Sequence, residues 1–181
     1  MVDQKTIYKA YDIRGDYPMM INEDLAYKLG RGLVIFFKTK QILVGRDCRN
    51  GSKELATELL RGIADQGAEA VDIGLCSTPM MNFASFKNDA VMVTASHLMP
   101  PANGFKIFKK GALPIGGENG LLEIKKIIEK DKFPEPKESG VLLRDDIMQN
   151  YVKHVLTFAK NIKPLKIVID AGNGMAGYTS P

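Results

Sequence analysis

Cysteine is scarce in this sequence, and long apolar runs are absent from it. Cys48 and Cys76 lie far apart and form no C-x-x-C pair, so they predict no disulfide framework and are typical of reduced thiols in a cytoplasmic protein. The longest apolar run covers only residues 33–37, whereas a membrane-spanning helix needs about 20 apolar residues. We therefore expect a cytoplasmic protein that has no membrane partner.

The sequence also lacks a large excess of charge of either sign. It has 25 Lys and Arg against 21 Asp and Glu, a net charge of +4. Residues 1–102 are balanced, with 12 basic and 12 acidic side chains, so the excess lies in the remainder, which has 13 against 9. Nucleic-acid grooves usually need a dense basic face. We expect no nucleic-acid partner, because so small an excess better suits a small anionic ligand.

Strand-like and helix-like segments alternate along the chain, which has the 45% hydrophobic content of a globular protein. The alternation predicts a layered α/β/α domain whose mixed sheet is mostly parallel and covered by helices on both faces. Predicted strands cover residues 41–45, 70–74, 90–94, 105–108 and 165–170. Predicted helices begin at the caps Asn22, Ser52 and Thr78, or cover residues 118–130 and 147–162.

The last third of the chain departs from this alternation. Residues 131–140 contain two prolines and a glycine, which predicts a solvated linker. The strand predicted at residues 165–170 is followed by a glycine turn and cannot bury itself alone. Either it pairs with the preceding domain or it opens a second domain, and we favour the second.

A candidate site follows the strand predicted at residues 90–94. In open α/β sheets, ligands bind beyond the carboxyl ends of the strands, where Ser96 falls. Ser96, His97 and Lys106 bring a hydroxyl, an imidazole and an ammonium group into one short segment. A hydroxyl beside cations suits phosphoryl transfer, in which catalysis consists mainly of positioning and charge neutralisation. A polar turn between two strands is the alternative interpretation.

A serine hydrolase is a poor explanation of the same segment. The nucleophile elbow of such enzymes needs G-x-S-x-G, and T-A-S-H-L lacks both glycines. Adjacent Ser96 and His97 would not ordinarily form a nucleophile–base contact, and His154 lies beside the apolar stripe of a predicted helix. We therefore expect His154 to be structural.

Three other segments offer weaker signals. Arg14, in Y-D-I-R-G, has a planar guanidinium group suited to phosphate oxygens, although the motif alone is better explained by a surface contact with Asp12. The G-R-D-C-R run at residues 45–49 fits either a ligand site or structural ion pairs. Residues 172–177 match G-x-G-x-x-G, which leaves a nucleotide- or dinucleotide-binding domain as one alternative and a tight turn as the other. A plain anion-binding module that uses Arg14, Arg46 and Lys106 also stays open.

Taken together and in this order, the motifs resemble those of the α-D-phosphohexomutase family, the phosphomannomutase/phosphoglucomutase enzymes. The similar segments are Y-D-I-R-G at 11–15, G-R-D-x-R at 45–49, S-T-P-M-M at 77–81, T-A-S-H at 94–97, N-G-F-K at 103–106 and I-D-A-G-N-G-M-A-G at 169–177. The resemblance implies that residues 1–135 form the phosphoserine domain. Residues 136–181 would then be a linker and the truncated beginning of a second, similar domain, which makes this an N-terminal fragment. Phosphoglucosamine mutase is an alternative within the same family.

The resemblance implies an enzyme that interconverts hexose 6-phosphate and hexose 1-phosphate. Ser96 would be the phosphoserine, which exchanges its phosphoryl group with the sugar through a 1,6-bisphosphate intermediate. Glucose or mannose 1,6-bisphosphate would be the activator. Mg²⁺ would bind Ser96 through its phosphate, with the remaining ligands outside this chain.

The resemblance also implies roles for five other residues. His97 and Lys106 correspond to positions assigned to proton transfer and charge stabilisation, and Arg14 to a catalytic position near the phosphate. Tyr11 and Asn103, together with Arg14 and Lys106, correspond to positions that bind the substrate or its phosphate. The implied partners are a hexose phosphate and the remaining domains of the same polypeptide.

The sequence departs from the family pattern in two ways. The usual loop is S-H-N-P-P-x-Y-N-G, and here Leu98 stands in place of asparagine and Met99 in place of proline, with the spacing from Ser96 to Lys106 unchanged. The D-G-D-x-D-R metal loop and the later sugar-recognising and phosphate-binding loops do not occur in these 181 residues. We therefore expect this chain alone to have no mutase turnover.

Overall fold

Seven strands form one sheet in the computed structural model, which describes residues 7–180. The strands are β1 (Ile13–Asp16), β2 (Gln41–Arg46), β3 (Glu69–Leu75), β4 (Asp89–Val93), β5 (Ala102–Lys109), β6 (Leu113–Pro114) and β7 (Leu142–Arg144). Their spatial order is β1-β5-β4-β2-β3-β7, and β6 pairs with β5. Within the described residues, β5 alone runs against the direction of the other strands. The predicted mixed, mostly parallel sheet is confirmed.

Helices cover both faces of this sheet. They are α1 (Glu23–Phe37), α2 (Ser52–Asp65), α3 (Thr78–Ser85), α4 (Leu122–Lys130), α5 (Met148–Leu156) and α6 (Ala176–Thr179), and a single π-helical turn, Gly117–Leu121, precedes α4. The larger apolar core joins one sheet face to α1, α2 and α4. A smaller core joins the other face to α3 and the start of α5. No helix within residues 7–180 combines the length and the apolar character needed to cross a membrane.

The two longest helices form largely where helical periodicity and capping place them. The Asn22 side chain caps α1 by accepting a 3.0 Å hydrogen bond from the Leu25 amide, and Leu29 and Leu33 are fully buried. The cap predicted for α2 is wrong, because Gly51 occupies the cap position with a φ of 80°. Ser52 is instead the first helical residue, and its hydroxyl donates a hydrogen bond to the buried Asp47 carboxylate.

The chain after α4 differs most from the sequence-based prediction. No strand forms at residues 165–170, where Ile167 and Val168 are exposed, and α5 stops before the end of the stripe predicted over 147–162. An isolated strand leaves its backbone polar groups without partners, and no described strand pairs with residues 165–170. The strand β7 was not predicted; it pairs with β3 and extends the first sheet beyond residue 136. The predicted division into residues 1–135 and 136–181 stays a prediction. Residues 1–6 and 181 lie outside the described part of the chain.

The linker predicted at residues 131–140 has no regular secondary structure, but it contacts α1 and the end of α2. The Gln66 amide donates a 2.7 Å hydrogen bond to the Pro134 carbonyl and accepts one of 2.7 Å from Arg31. The Arg31 guanidinium lies 5.0 Å from the centre of the Phe133 ring. The linker is therefore held against α1 and α2, and most of its residues remain exposed to solvent, as predicted.

Candidate active site

Ser96 lies three residues beyond the end of β4, at the carboxyl edge of the parallel part of the sheet. Its backbone has a φ of 59°, in the left-handed region that non-glycine residues rarely adopt. The Ser96 amide donates a 2.8 Å hydrogen bond to the hydroxyl of Thr94, which is itself buried. Ser96 is exposed. Its hydroxyl therefore lies at a ligand-binding edge, on a strained turn that a buried side chain supports.

Arg49 spans the loop that follows Ser96. Its guanidinium donates hydrogen bonds to the carbonyls of Ser96 at 2.8 Å, Leu98 at 2.5 Å and Ala102 at 3.2 Å. The first two carbonyls belong to the loop between β4 and β5, and the third belongs to the first residue of β5. Sequence reasoning left the role of Arg49 open, and the second arginine of G-R-D-x-R was the available signal.

A buried polar network anchors Arg49 and the far end of the loop. Asp47 is only 7% exposed, and its carboxylate accepts hydrogen bonds from the Ser52 hydroxyl at 2.6 Å and the Arg49 amide at 3.0 Å. Arg49 Nε lies 3.4 Å from the other carboxylate oxygen. The ion pair that was one interpretation of residues 45–49 is therefore present.

Asn103 belongs to this network and does not line the cleft. Its amide nitrogen donates to the Ser52 hydroxyl at 3.0 Å and to the Asn50 carbonyl at 3.1 Å, and its oxygen accepts from the Gly104 amide at 2.8 Å. The residue is 0% exposed. The placement gives no support to the substrate contact predicted for Asn103, because every polar atom of its side chain already has a protein partner.

Ser96 and His97 open onto a cleft of about 870 Å³. The beginning of α3, at Ser77 and Thr78, forms another part of its wall, together with the turn at residues 172–175. Ser96 Oγ and His97 Nδ1 are 3.5 Å apart, which is too long for a strong hydrogen bond. The geometry thus joins a hydroxyl and an imidazole in one cleft without forming a tight nucleophile–base pair.

The other predicted site residues gather around one carboxylate on the neighbouring part of the sheet. Asp12, with a side chain only 4% exposed, is paired with Arg14 at 2.5 Å and with Lys106 at 3.2 Å. Lys106 is the cross-strand partner of Met92, which lines the cleft, so both side chains lie on one sheet face. Tyr11 is 78% exposed beside this cluster. Two cations share one anion, so the cluster has a net positive charge, but none of its residues lines the cleft itself.

Tyr17 contributes a neutral hydroxyl to the cleft wall. Its hydroxyl donates a 2.6 Å hydrogen bond to Glu23, and this bond, more than burial, raises the pKa of Tyr17 to about 12. Tyr17 therefore stays protonated across the physiological range. Its backbone amide donates to the Pro101 carbonyl at 3.0 Å, which ties the end of β1 to the loop of Ser96.

The described residues do not form a metal site by themselves. Within residues 7–180, no group of three or more His, Cys, Asp or Glu side chains lies close enough to hold a metal ion. Ser96 offers one oxygen for such an ion, and the nearby Asp47 is occupied by Ser52 and Arg49. The residues present thus fit a single contribution to a magnesium site, not a complete one.

The glycine-rich turn at residues 172–177 lies beside the same cleft. The Cys48 thiol donates to the Asn173 carbonyl at 3.5 Å. A dinucleotide site needs this turn to follow a strand directly, and residues 165–170 form none. The tight-turn interpretation therefore agrees better with the structure.

Comparisons with known proteins are consistent with this geometry. The family model for "Phosphoglucomutase/phosphomannomutase, alpha/beta/alpha domain I" matches residues 5–135. A phosphomannomutase of Escherichia coli is 39% identical over 183 residues, covering 97% of this chain and 40% of that protein. A phosphoglucomutase of Neisseria meningitidis is 37% identical over 179 residues, covering 96% of this chain and 38% of that protein.

A solved structure has the same fold. The crystal structure of a phosphoglucomutase/phosphomannomutase family protein from Burkholderia thailandensis matches with a TM-score of 0.87 and 32% identity. The match covers 99% of this chain and 41% of that one. The chain described here thus spans about two fifths of the length of these relatives.

Proposed function

This chain belongs to the phosphoglucomutase/phosphomannomutase family, and we propose that it supplies the phosphoserine-bearing part of an enzyme interconverting hexose 6-phosphates and hexose 1-phosphates. The observation that carries the proposal is the placement of Ser96. Its hydroxyl is exposed at the carboxyl edge of the sheet, on a left-handed turn, in a cleft large enough for a sugar phosphate. The relatives are named for mannose and glucose substrates, so both hexoses belong to the proposed substrate class.

The proposed reaction passes one phosphoryl group between Ser96 and the sugar. In one direction a sugar hydroxyl attacks the phosphorus on Ser96, a new sugar O–P bond forms and the Oγ–P bond breaks. The sugar hydroxyl loses its proton and Ser96 Oγ takes one up, so the step is balanced. The resulting 1,6-bisphosphate returns its other phosphoryl group to Ser96 by the reverse step. Most of the catalysis is positioning and charge neutralisation.

Two cations on the sheet face of Met92 support this chemistry. Arg14 and Lys106 lie on the sheet face that leads to the cleft, and the single carboxylate of Asp12 neutralises only part of their charge. We assign them to stabilising phosphate oxygens, and His97, 3.5 Å from Ser96 Oγ, to proton transfer or charge stabilisation. Tyr11 is exposed beside them and available to a substrate.

The metal belongs to the proposal in a limited form. Bound Mg²⁺ would supply charge neutralisation at the phosphoryl group. Ser96 would contribute one phosphate oxygen to it, and the described residues do not complete its coordination. Since metal ligands and further sugar contacts have to come from elsewhere, we expect turnover to require more of the polypeptide than these 181 residues.

Intact-mass spectrometry and peptide mapping test the central claim. We expect the complete polypeptide that carries this chain, incubated with glucose 1,6-bisphosphate and Mg²⁺, to gain the mass of one phosphoryl group, located on Ser96. Ser96→Ala should abolish the gain. Ser77→Ala is the matched control, because Ser77 lines the same cleft and has no proposed chemical role.

A phosphoryl group on another residue, or none on the complete wild-type polypeptide, would contradict the proposal. A gain that persists unchanged in Ser96→Ala would do the same. Mutase turnover by the isolated chain, measured as conversion of mannose 6-phosphate to mannose 1-phosphate, would contradict the expectation that further residues are required.

A further inference from the structure

We propose that Arg49 is a positioning residue that holds the backbone of the Ser96 loop in the conformation required for phosphoryl transfer. This inference rests on the proposed function of Ser96. Arg49 is not a neighbour of Ser96 in the sequence; 47 positions separate them, and the pairing of β2 with β4 brings them together.

The first observation is that one side chain bonds the loop at two points and the first residue of β5. Three carbonyls, those of Ser96, Leu98 and Ala102, accept hydrogen bonds from the two terminal nitrogens of Arg49. Within the loop itself, the backbone has few bonds of its own: the Leu98 amide reaches Ala95 and the Ala102 amide reaches Met99. Removing Arg49 would therefore leave three carbonyls without their donor, along a segment with little internal support.

The second observation is that Ser96 has a conformation that needs support. A left-handed serine is less favourable than the same residue in an extended or helical conformation, and it persists only when its surroundings hold it. Thr94 holds the Ser96 amide on one side, and Arg49 holds the Ser96 carbonyl on the other. Because both peptide groups are fixed, the direction of the Cα–Cβ bond, and with it the reach of Oγ, is fixed too.

The third observation is that the guanidinium has little capacity left for a substrate. Its Nε faces Asp47 at 3.4 Å, and both terminal nitrogens donate to loop carbonyls. The side chain of Arg49 is 18% exposed. Arg49 therefore acts on the loop rather than on a phosphate, which distinguishes it from Arg14 and Lys106.

Lysine cannot reproduce this arrangement. A guanidinium is planar and donates in several fixed directions, whereas an ammonium is a compact point charge on a flexible stem. We expect Arg49→Lys to keep the charge but to hold only part of the loop. Comparing Arg49→Lys with Arg49→Ala therefore separates the effect of the positive charge from the effect of the guanidinium geometry.

The test measures single-turnover phosphorylation of Ser96 in the complete polypeptide over a range of glucose 1,6-bisphosphate concentrations. For Arg49→Ala we expect the saturating rate to fall roughly 100-fold, the loss typical of a reacting group displaced by about 1 Å, with the half-saturating concentration unchanged. Arg49→Lys should fall in between. Lys53→Ala is the matched control, because Lys53 is exposed in the first turn of α2, carries the same charge and has no assigned role; it should keep the wild-type rate. Guanidinium chloride at millimolar concentration should partly restore Arg49→Ala, and sodium chloride should not.

Amide hydrogen exchange in residues 96–102 gives a readout that does not depend on phosphorylation. We expect exchange at Ser96, Leu98 and Ala102 to accelerate in Arg49→Ala while the rest of the chain keeps its wild-type pattern. If Arg49→Ala keeps both the wild-type saturating rate and the wild-type amide exchange in the loop, the inference is overturned. It is also overturned if the substitution raises only the half-saturating concentration of the bisphosphate, because Arg49 would then be a substrate contact. If wild-type Ser96 accepts no phosphoryl group, the proposed function fails, and exchange still decides whether Arg49 holds the loop.

Discussion

A substitution at Asn103 distinguishes most clearly between a structural role and a substrate-binding role for a predicted site residue. The structure buries its side chain completely and uses it for three hydrogen bonds, to Asn50, Ser52 and Gly104. Asn103→Ala removes all three bonds and leaves the buried Gly104 amide without a partner. At about 1 kcal/mol net for each hydrogen bond, the free energy of unfolding should fall by about 3 kcal/mol.

Urea denaturation, followed by circular dichroism, measures this loss. Asn88→Ala is the matched control, because the Asn88 amide makes one hydrogen bond, 3.3 Å long, to the Ala84 carbonyl. Its loss should stay below about 1 kcal/mol. The slope of the free energy against urea should be the same for both variants and the wild type, since neither substitution changes the surface exposed on unfolding.

Two results would refute the structural role of Asn103. One is an unfolding free energy of Asn103→Ala within about 0.5 kcal/mol of that of Asn88→Ala, which is less than a single lost hydrogen bond. The other is unchanged stability combined with a raised half-saturating concentration of 1,6-bisphosphate, the result expected if the amide bound the substrate instead.

Three further predictions use other parts of the fold. Burial raises the pKa of the Cys76 thiol to about 12, so at pH 8 iodoacetamide should modify exposed Cys48 alone, and Cys76 only in urea; two modified thiols in the native chain would contradict this. An added methyl group at Gly62 would collide with a backbone carbonyl of α1, so Gly62→Ala should lower the free energy of unfolding by about 1–3 kcal/mol, whereas Gly32→Ala, which meets only side-chain ends, should change it by less than about 1 kcal/mol. Burial, aided by the charge of Glu129, raises the pKa of Tyr8 to about 12. Since the unfolded chain ionises near pH 10 and the folded chain does not, stability should decline between pH 10 and pH 12, and Tyr8→Phe should remove that part of the decline in thermal melts.

Local sequence patterns predicted the elements that depend on short-range interactions. The Asn22 cap and the spacing of Leu29 and Leu33 act within a few residues, and α1 forms where they indicate. The run from 41 to 45 became the central strand β2 for a similar reason, since a short apolar run ending in glycine suits a strand buried on both faces.

Elements that depend on a distant partner could not be predicted in this way. A strand needs a neighbour, and the weakly patterned residues 142–144 find one in β3, whereas the strongly apolar residues 165–170 have none in the described part of the chain. The Ser52 hydroxyl, predicted as a helix cap, bonds Asp47 because the turn at residues 45–49 packs against it.

The sequence by itself determined the α/β character of the chain, its family motifs and the position of Ser96 after a strand. Only the tertiary structure decided that Ser96 is exposed on a left-handed turn, that Arg49 bonds the loop of Ser96 and that the Asn103 side chain is buried and hydrogen-bonded within the fold. The reason is the range of the interactions. Periodicity, capping and strand propensity act between near neighbours, whereas the contacts of Arg49 and Asn103 join positions 47 and 51 residues away, which meet only after β2, β4 and β5 have paired.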